Sequence, residues 1–136
     1  MAIFATTEDL YAALLPFYED LVADPKIGPM FAGASTSFRI RHNDPEAVFV
    51  LDATGGGLTL LHGSGAEAAE AEVELLMSGD DGHKFWLGKL NLPMAMARKK
   101  IKIDGGVTKL LGIVPALQPA YAMYQAYAEK ANLPLG

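Results

Sequence analysis

Three short runs with the character of β-strands follow one another between residues 38 and 62. In the first, Phe38 and Ile40 alternate with arginines; the second, residues 48–51, is β-branched and aromatic. The third spans residues 58–62. An Asn-Asp-Pro turn separates the first two runs and a triple glycine separates the last two, so the pattern predicts an antiparallel three-stranded meander. A sheet must therefore form the centre of this chain.

Two further strands are predicted after the meander. Residues 72–77 and 100–103 both alternate charged with apolar side chains. A glycine-rich break precedes the fourth strand, and a short helix carrying Phe85 separates the fourth strand from the fifth. Helices follow over residues 107–111 and 115–131. This order predicts one α+β domain over residues 1–136, with a five-stranded sheet and helices on one side of it.

The first helix is amphipathic. Thr7, followed by two acids, predicts its start, and leucine and phenylalanine then recur at helical spacing. Pro16 predicts a kink or a restart within the helix. The helix is expected to end at Asp24, before Pro25.

The second strand is apolar on both faces. Residues 48–51 show no alternation, whereas a strand with one solvated face should alternate. Something must therefore cover the second face of the sheet. The sequence leaves two covers open, the N-terminal helix or a second copy of the chain.

Composition excludes several classes of partner. The 136-residue chain has a net charge of −5 and is 51% hydrophobic, so it can bury a core but neutralises nucleic-acid phosphates poorly. Anionic membranes are disfavoured for the same reason, except through a local basic patch. There is no cysteine, and the sequence shows neither a signal peptide nor an apolar stretch of membrane-spanning length. The expected location is the cytoplasm, without stable membrane insertion.

One local basic patch exists. Arg98, Lys99, Lys100 and Lys102 lie within five residues. We expect Lys100 and Lys102 to pair across strands with the glutamates at 72 and 74 on a solvated face. Contact with acyl-CoA phosphates or with anionic lipid is the alternative.

Catalytic and metal sites are not indicated. His42, His62 and His83 match no metal-ligand spacing. The His-Gly-Ser-Gly string at 62–65 lacks the spacing of a nucleophile elbow, and Gly88-Lys89 is not followed by the Ser or Thr of a phosphate loop. We therefore expect no catalytic residue, no metal and no cofactor.

The second half of the chain resembles the sterol carrier (sterol transfer) family. The resemblance rests on the strand and acidic cap at residues 75–81, the Trp-Leu-Gly-Lys-Leu string at 86–90, and the stretch at 97–105 with Lys-Ile-Lys-Ile and Asp-Gly. It covers residues 38–117. Two features depart from the family pattern: Lys99 stands where the family has glycine, and a Tyr-rich helix extends past the usual core.

The resemblance implies non-catalytic binding and transfer of a sterol, fatty acid or fatty acyl-CoA in an apolar tunnel between sheet and helices. Aromatic and methionine side chains suit such a cavity because methionine adapts its shape. The expected ligand-binding residues are Phe85, Trp86, Leu90, Met94, Met96, Leu111, Leu117, Tyr121 and Tyr124. Trp86 is expected to be partly buried at the ligand, on one helical face with Leu90, and the last helix is expected to act as a removable lid.

Two other functions stay open. A small cone-shaped α+β enzyme acting on a steroid or polyketide would use a buried carboxylate and a tyrosine. Such folds end on long strands, whereas this chain is expected to end on a helix. The other possibility is a non-catalytic partner subunit of a lipid-metabolising enzyme. A homodimer is also possible.

Overall fold

The computed structural model describes residues 3–135. The helices are α1 (Thr7–Ala23), α2 (Ile27–Ala32), α3 (Ser64–Ala68), α4 (Gly79–Trp86), α5 (Leu92–Ala97), α6 (Val107–Leu110) and α7 (Val114–Lys130), with a 3₁₀ turn at Leu111–Ile113. The strands are β1 (Ser37–Asn43), β2 (Ala47–Asp52), β3 (Thr59–His62), β4 (Val73–Ser78) and β5 (Lys102–Gly105). No helix in the described part of the chain is long and apolar enough to cross a membrane.

The five strands form one mixed sheet in the order β3-β2-β1-β4-β5. The meander β1-β2-β3 is antiparallel throughout, as predicted. The crossover through α3 returns the chain to the other side of β1, where β4 pairs with it in parallel. Strand β5 then pairs antiparallel with β4 at the edge. The expected α+β fold with a meander, a crossover and two further strands is confirmed.

Helix α1 begins one residue earlier than expected. Thr6, not Thr7, is the N-cap, and its hydroxyl accepts a hydrogen bond from the Asp9 amide. The helix runs without interruption through Pro16, which lies on the exposed side. It ends at Asp24 as expected, and the Asp24 carboxylate then accepts from the first amides of the next turn.

The principal helices pack on one face of the sheet, called here the inner face. Helix α1 contacts β2 and β3, α4 contacts β1 and β4, and α7 packs against both α1 and α4. Sheet residues that point to this layer include Phe38, Ile40, Phe49, Leu51 and Leu75, all at most 4% exposed. Their burial stabilises the fold by roughly 1.5–3 kcal/mol for each large side chain, before entropy costs.

The opposite, outer face of β2 is covered by the crossover. Val48 and Val50 pack against Ala66 of α3 and against Ala69 just after it. The expectation of the N-terminal helix or a second chain as the cover was therefore wrong. Five helical residues suffice because only two valines need shielding, and alanines allow α3 to approach the sheet closely.

The expected cross-strand charge pairs do not form. Strands β4 and β5 are neighbours, but their register places Leu76 opposite Lys102 and Glu74 opposite Asp104. Like charges thus face each other at one of these positions. The expectation was wrong because the alternation of charged and apolar residues does not determine the register in which β4 and β5 pair.

The negative charge of Glu74 on β4 is neutralised by arginines of the neighbouring strand β1. Glu74 lies opposite Arg39 on β1 and forms ion pairs with Arg39 and Arg41, each at 3.3 Å. Arg41 also pairs with Glu67 of α3 at 2.7 Å, and Arg39 donates to backbone carbonyls at the end of α3. These contacts hold the crossover helix on the outer face and raise the pKa of Arg41 further.

Candidate functional site

The space between the inner face and the helices holds an aromatic cluster. Its members are Phe17 and Tyr18 of α1, Phe49 of β2, Trp86 of α4 and Tyr124 of α7, and each is at most 1% exposed. Ring centroids lie 5.2 Å apart for Phe17 and Trp86, 4.7 Å for Phe17 and Tyr124, and 4.6 Å for Tyr18 and Phe49. Side chains therefore fill the centre of this layer.

Trp86 belongs to that cluster. Its indole Nε1 donates to the Tyr18 hydroxyl at 2.9 Å, and burial raises the pKa of Tyr18 strongly. Helix α4 ends at Trp86, and Gly88 with a φ of 78° turns the chain away. The expectations that Trp86 is partly buried and shares a helical face with Leu90 were therefore wrong.

Phe85 and Tyr121 lie at the edge of the cluster. Their ring centroids are 6.0 Å apart and the rings are perpendicular. Phe85 is 5% exposed, whereas Tyr121 is half-buried and lies over Gly88. Leu90 is also half-buried and packs against the core, and Met96 is half-buried. At this edge the aromatic cluster reaches the partly exposed surface.

The remaining expected ligand residues divide between core and surface. Leu117 is buried with Tyr124 on the inner side of α7. Met94 and Leu111 are 51% and 59% exposed and lie outside the apolar layer. Helix α5 is lightly anchored, because Ala95 is its only buried residue.

Helix α7 is an integral part of the core. The expected apolar stripe of Leu117, Tyr121, Tyr124 and Ala128 is buried except at Tyr121, which is half-buried. Ala120 is buried beside it. Tyr127 on the same helix donates through its hydroxyl to the Ala13 carbonyl of α1. The expectation of a removable lid over an intact sheet conflicts with this burial, since removing α7 would expose the centre of the core.

His83 ties α4 to the C-terminal segment, a role that the sequence pattern did not indicate. Its Nε2 lies 2.6 Å from the Pro134 carbonyl and its Nδ1 lies 2.7 Å from the Tyr124 hydroxyl. Because a carbonyl can only accept, Nε2 carries the proton and Nδ1 accepts from Tyr124. Burial lowers the pKa of His83, which favours this neutral form.

His42 is buried between β1 and α4. It is 2% exposed, its Nδ1 lies 3.4 Å from the Ser78 carbonyl, and its ring packs closely against Gly82. Its Nε2 has no hydrogen-bond partner in the described part of the chain. Burial lowers the pKa of His42 to about 4, so the imidazole is neutral at physiological pH.

His42 should make the fold sensitive to acid. Its pKa is about 4 in the folded chain and about 6.5 when unfolded, so the unfolded state binds more protons between these values. Its contribution to stability is fully present above pH 6.5 and falls with pH, by up to about 3 kcal/mol at pH 4. Urea unfolding of the wild type and His42→Gln across this range checks the prediction. Equal pH dependence in both proteins would contradict it.

Two further concavities lie elsewhere on the surface. A groove of about 550 Å³ opens beside the β1-β2 turn, lined by residues that include Tyr11, Arg41 and Ser64. A smaller one of about 270 Å³ lies beside His83, Lys84 and Pro134. Within residues 3–135, no three histidine or carboxylate side chains converge to hold a metal ion. The apolar layer, rather than these grooves, is the candidate site.

The fold and its interior define an α+β domain whose sheet and helices enclose an apolar layer. Residues 18–118 match the model of the SCP-2 sterol transfer family, and the chain belongs to this family. The match begins twenty residues before the region whose motifs carried the resemblance, and so includes part of α1 and α2. No curated protein sequence matches the chain.

Solved structures agree with the family assignment. The sterol carrier protein domain 2 of Helicoverpa armigera superposes with a TM-score of 0.65 at 20% identity, covering 83% of this chain and 88% of that one. Sterol Carrier Protein 2 from Yarrowia lipolytica, in its apo form, gives 0.61 at 22% identity, covering 83% and 94%. Sterol Carrier Protein-2 from Aedes aegypti, in complex with palmitate, gives 0.51 at 19% identity, covering 82% and 93%. These likenesses show a shared fold.

Proposed function

We propose that this protein is a non-catalytic carrier that binds one apolar lipid in the layer between the inner face of the sheet and helices α4, α5 and α7. The observation that carries the proposal is the edge of the aromatic cluster, where half-buried Leu90 and Tyr121 and buried Phe85 join a largely apolar interior to the surface. The ligand class is a fatty acid, fatty acyl-CoA or sterol.

Membership of a sterol transfer family supports a lipid as the ligand. The palmitate held by the Aedes aegypti protein supports an acyl chain in particular. The chemistry of the layer is consistent with both. Tyrosine hydroxyls can meet the polar end of a ligand, and the aromatic and methionine side chains provide an apolar surface.

The filled interior implies that the lipid replaces protein contacts when it binds. Helix α5 has a single buried residue, Ala95, and we expect it to be the element that moves away from the layer. Burying an acyl chain gains about 0.8 kcal/mol for each methylene, which offsets the cost of that movement. Because the movement and the ordering of the chain reduce the net gain, we expect affinities of the order of micromolar.

A charge at the edge of the layer should weaken binding. Tyr121→Glu places a carboxylate beside the proposed acyl chain, and we expect at least a tenfold loss of affinity. Leu61→Glu is the matched control, because Leu61 is 38% exposed and lies on the outer face of β3. Displacement of a fluorescent fatty acid in solution measures both. Equal affinities in folded Tyr121→Glu and wild type would rule out this edge as the binding site.

A further inference from the structure

We infer that helix α5 and the turn joining it to β5, together called here the docking turn, form the surface with which this carrier docks on anionic lipid membranes. The inference deepens the proposed function and rests on it, since docking is the step that brings the carrier to its source and target of lipid. The docking turn consists of Met94 at the apolar end and Arg98, Lys99 and Lys100 at the basic end.

The basic end of the docking turn has no internal partner. Arg98, Lys99 and Lys100 are all exposed, and none forms an ion pair within residues 3–135. Lys102, just beyond, is also exposed and unpaired there. By contrast, both arginines of β1 are paired with glutamates, as is Lys109. Four of the 11 basic residues are thus concentrated in five positions, on a chain of net charge −5.

An apolar side chain accompanies these charges. Met94 is 51% exposed, although it lies on a helix whose other residues include buried Ala95 and half-buried Leu92. An exposed, flexible methionine next to a cluster of cations suits the boundary between lipid headgroups and acyl chains. The pairing of apolar and basic groups favours a lipid surface over a soluble acidic partner.

The backbone at Lys99 adds an independent observation. Helix α5 ends with Lys99 at a φ of 60°, and the Lys100 amide donates to the Ala95 carbonyl across the turn. Glycine is the residue that fits this left-handed position without strain. The chain therefore places a third cation where glycine would make the fold more stable. A requirement for positive charge at this position accounts for that choice.

Lys99→Gly should separate stability from docking. Relief of the left-handed strain should raise the melting temperature of the protein. Loss of one charge should weaken binding to anionic membranes about fivefold, as expected for about 1 kcal/mol per lysine near the surface. A residue with a merely structural role would not move these two measurements in opposite directions.

The direct test is sedimentation with vesicles, either of phosphatidylcholine alone or of equal parts phosphatidylcholine and phosphatidylserine. We expect binding to the mixed vesicles only, weakened by salt. The triple variant Arg98→Gln, Lys99→Gln, Lys100→Gln should lose most of this binding, and Met94→Ser part of it. The matched control replaces Lys26, Lys84 and Lys130 with Gln, which removes the same charge from exposed lysines on other elements.

Three results would overturn the inference: no binding of wild type to mixed vesicles, equal binding of the triple variant, or an equal loss in the control. The first of these results, together with binding of the wild type to soluble heparin, would identify an acidic polymer as the partner instead of a membrane. Displacement of a fluorescent fatty acid in vesicle-free solution tests the proposed function separately. That assay should give the same result for wild type and the triple variant.

Discussion

Gly105→Ala is expected to lower the free energy of unfolding by about 3 kcal/mol. Gly105 has a φ of 108°, a conformation that side chains other than glycine rarely adopt, and it pairs with Val73 at the end of β5. A Cβ at this position would lie 2.3 Å from the Glu72 carbonyl oxygen. Backbone must shift to relieve that contact, and the shift would disturb the pairing of β4 with β5.

The adjacent glycine provides the control. A Cβ at Gly106 would meet only the flexible Lys109 side chain, at 3.6 Å from Cγ and 3.8 Å from Cδ, which are ordinary contacts. Gly106→Ala should therefore leave stability within about 0.5 kcal/mol of wild type. Urea unfolding of the two variants measures the difference. Equal losses would show that the close approach of β4 to Gly105 does not determine stability at this edge.

Trp86→Ala is expected to destabilise the fold by about 3–5 kcal/mol. Trp86 is 1% exposed, contacts the rings of Phe17, Tyr18 and Phe85, and donates to the Tyr18 hydroxyl. Removing the indole leaves a cavity at the centre of the aromatic cluster and an unpaired buried hydroxyl. The cavity and the unpaired hydroxyl both lower the free energy of unfolding.

Trp86→Phe separates the two effects. It keeps much of the ring volume but removes the hydrogen bond, so we expect a loss of about 1–3 kcal/mol from the unpaired Tyr18 hydroxyl. Denaturant unfolding of the two variants gives both losses of free energy. It is followed by circular dichroism, because the variants lack the single tryptophan. A Trp86→Ala variant as stable as wild type would show that the cluster does not support the core.

The fold was predictable because its signals are local. Alternation in β1 and apolar continuity in β2 depend only on neighbouring residues. The first cap was misplaced by one residue because Thr6 and Thr7 are equally suited by type. The family resemblance, carried by short strings between residues 75 and 105, agreed with the later family match.

The details of the site depended on contacts distant in sequence. His83 meets Pro134 across 51 positions, and Trp86 meets Tyr18 across 68. The partner of Glu74 was set by the parallel placement of β4 beside β1, which strand patterns do not specify. Grouping of apolar residues by sequence also could not show that Met94 and Leu111 are exposed while Trp86 is enclosed.

The measurement that tests the central claim most directly uses Trp86, the single tryptophan of the chain. A fatty acid brominated along its acyl chain quenches tryptophan emission only at close range, and Trp86 lies beside Phe85 at the proposed site, with ring centroids 5.1 Å apart. We predict saturable quenching at one equivalent of brominated fatty acid, reversed by the unbrominated acid. Unchanged emission while the same acid binds by an independent assay would place the lipid outside the layer and contradict the account.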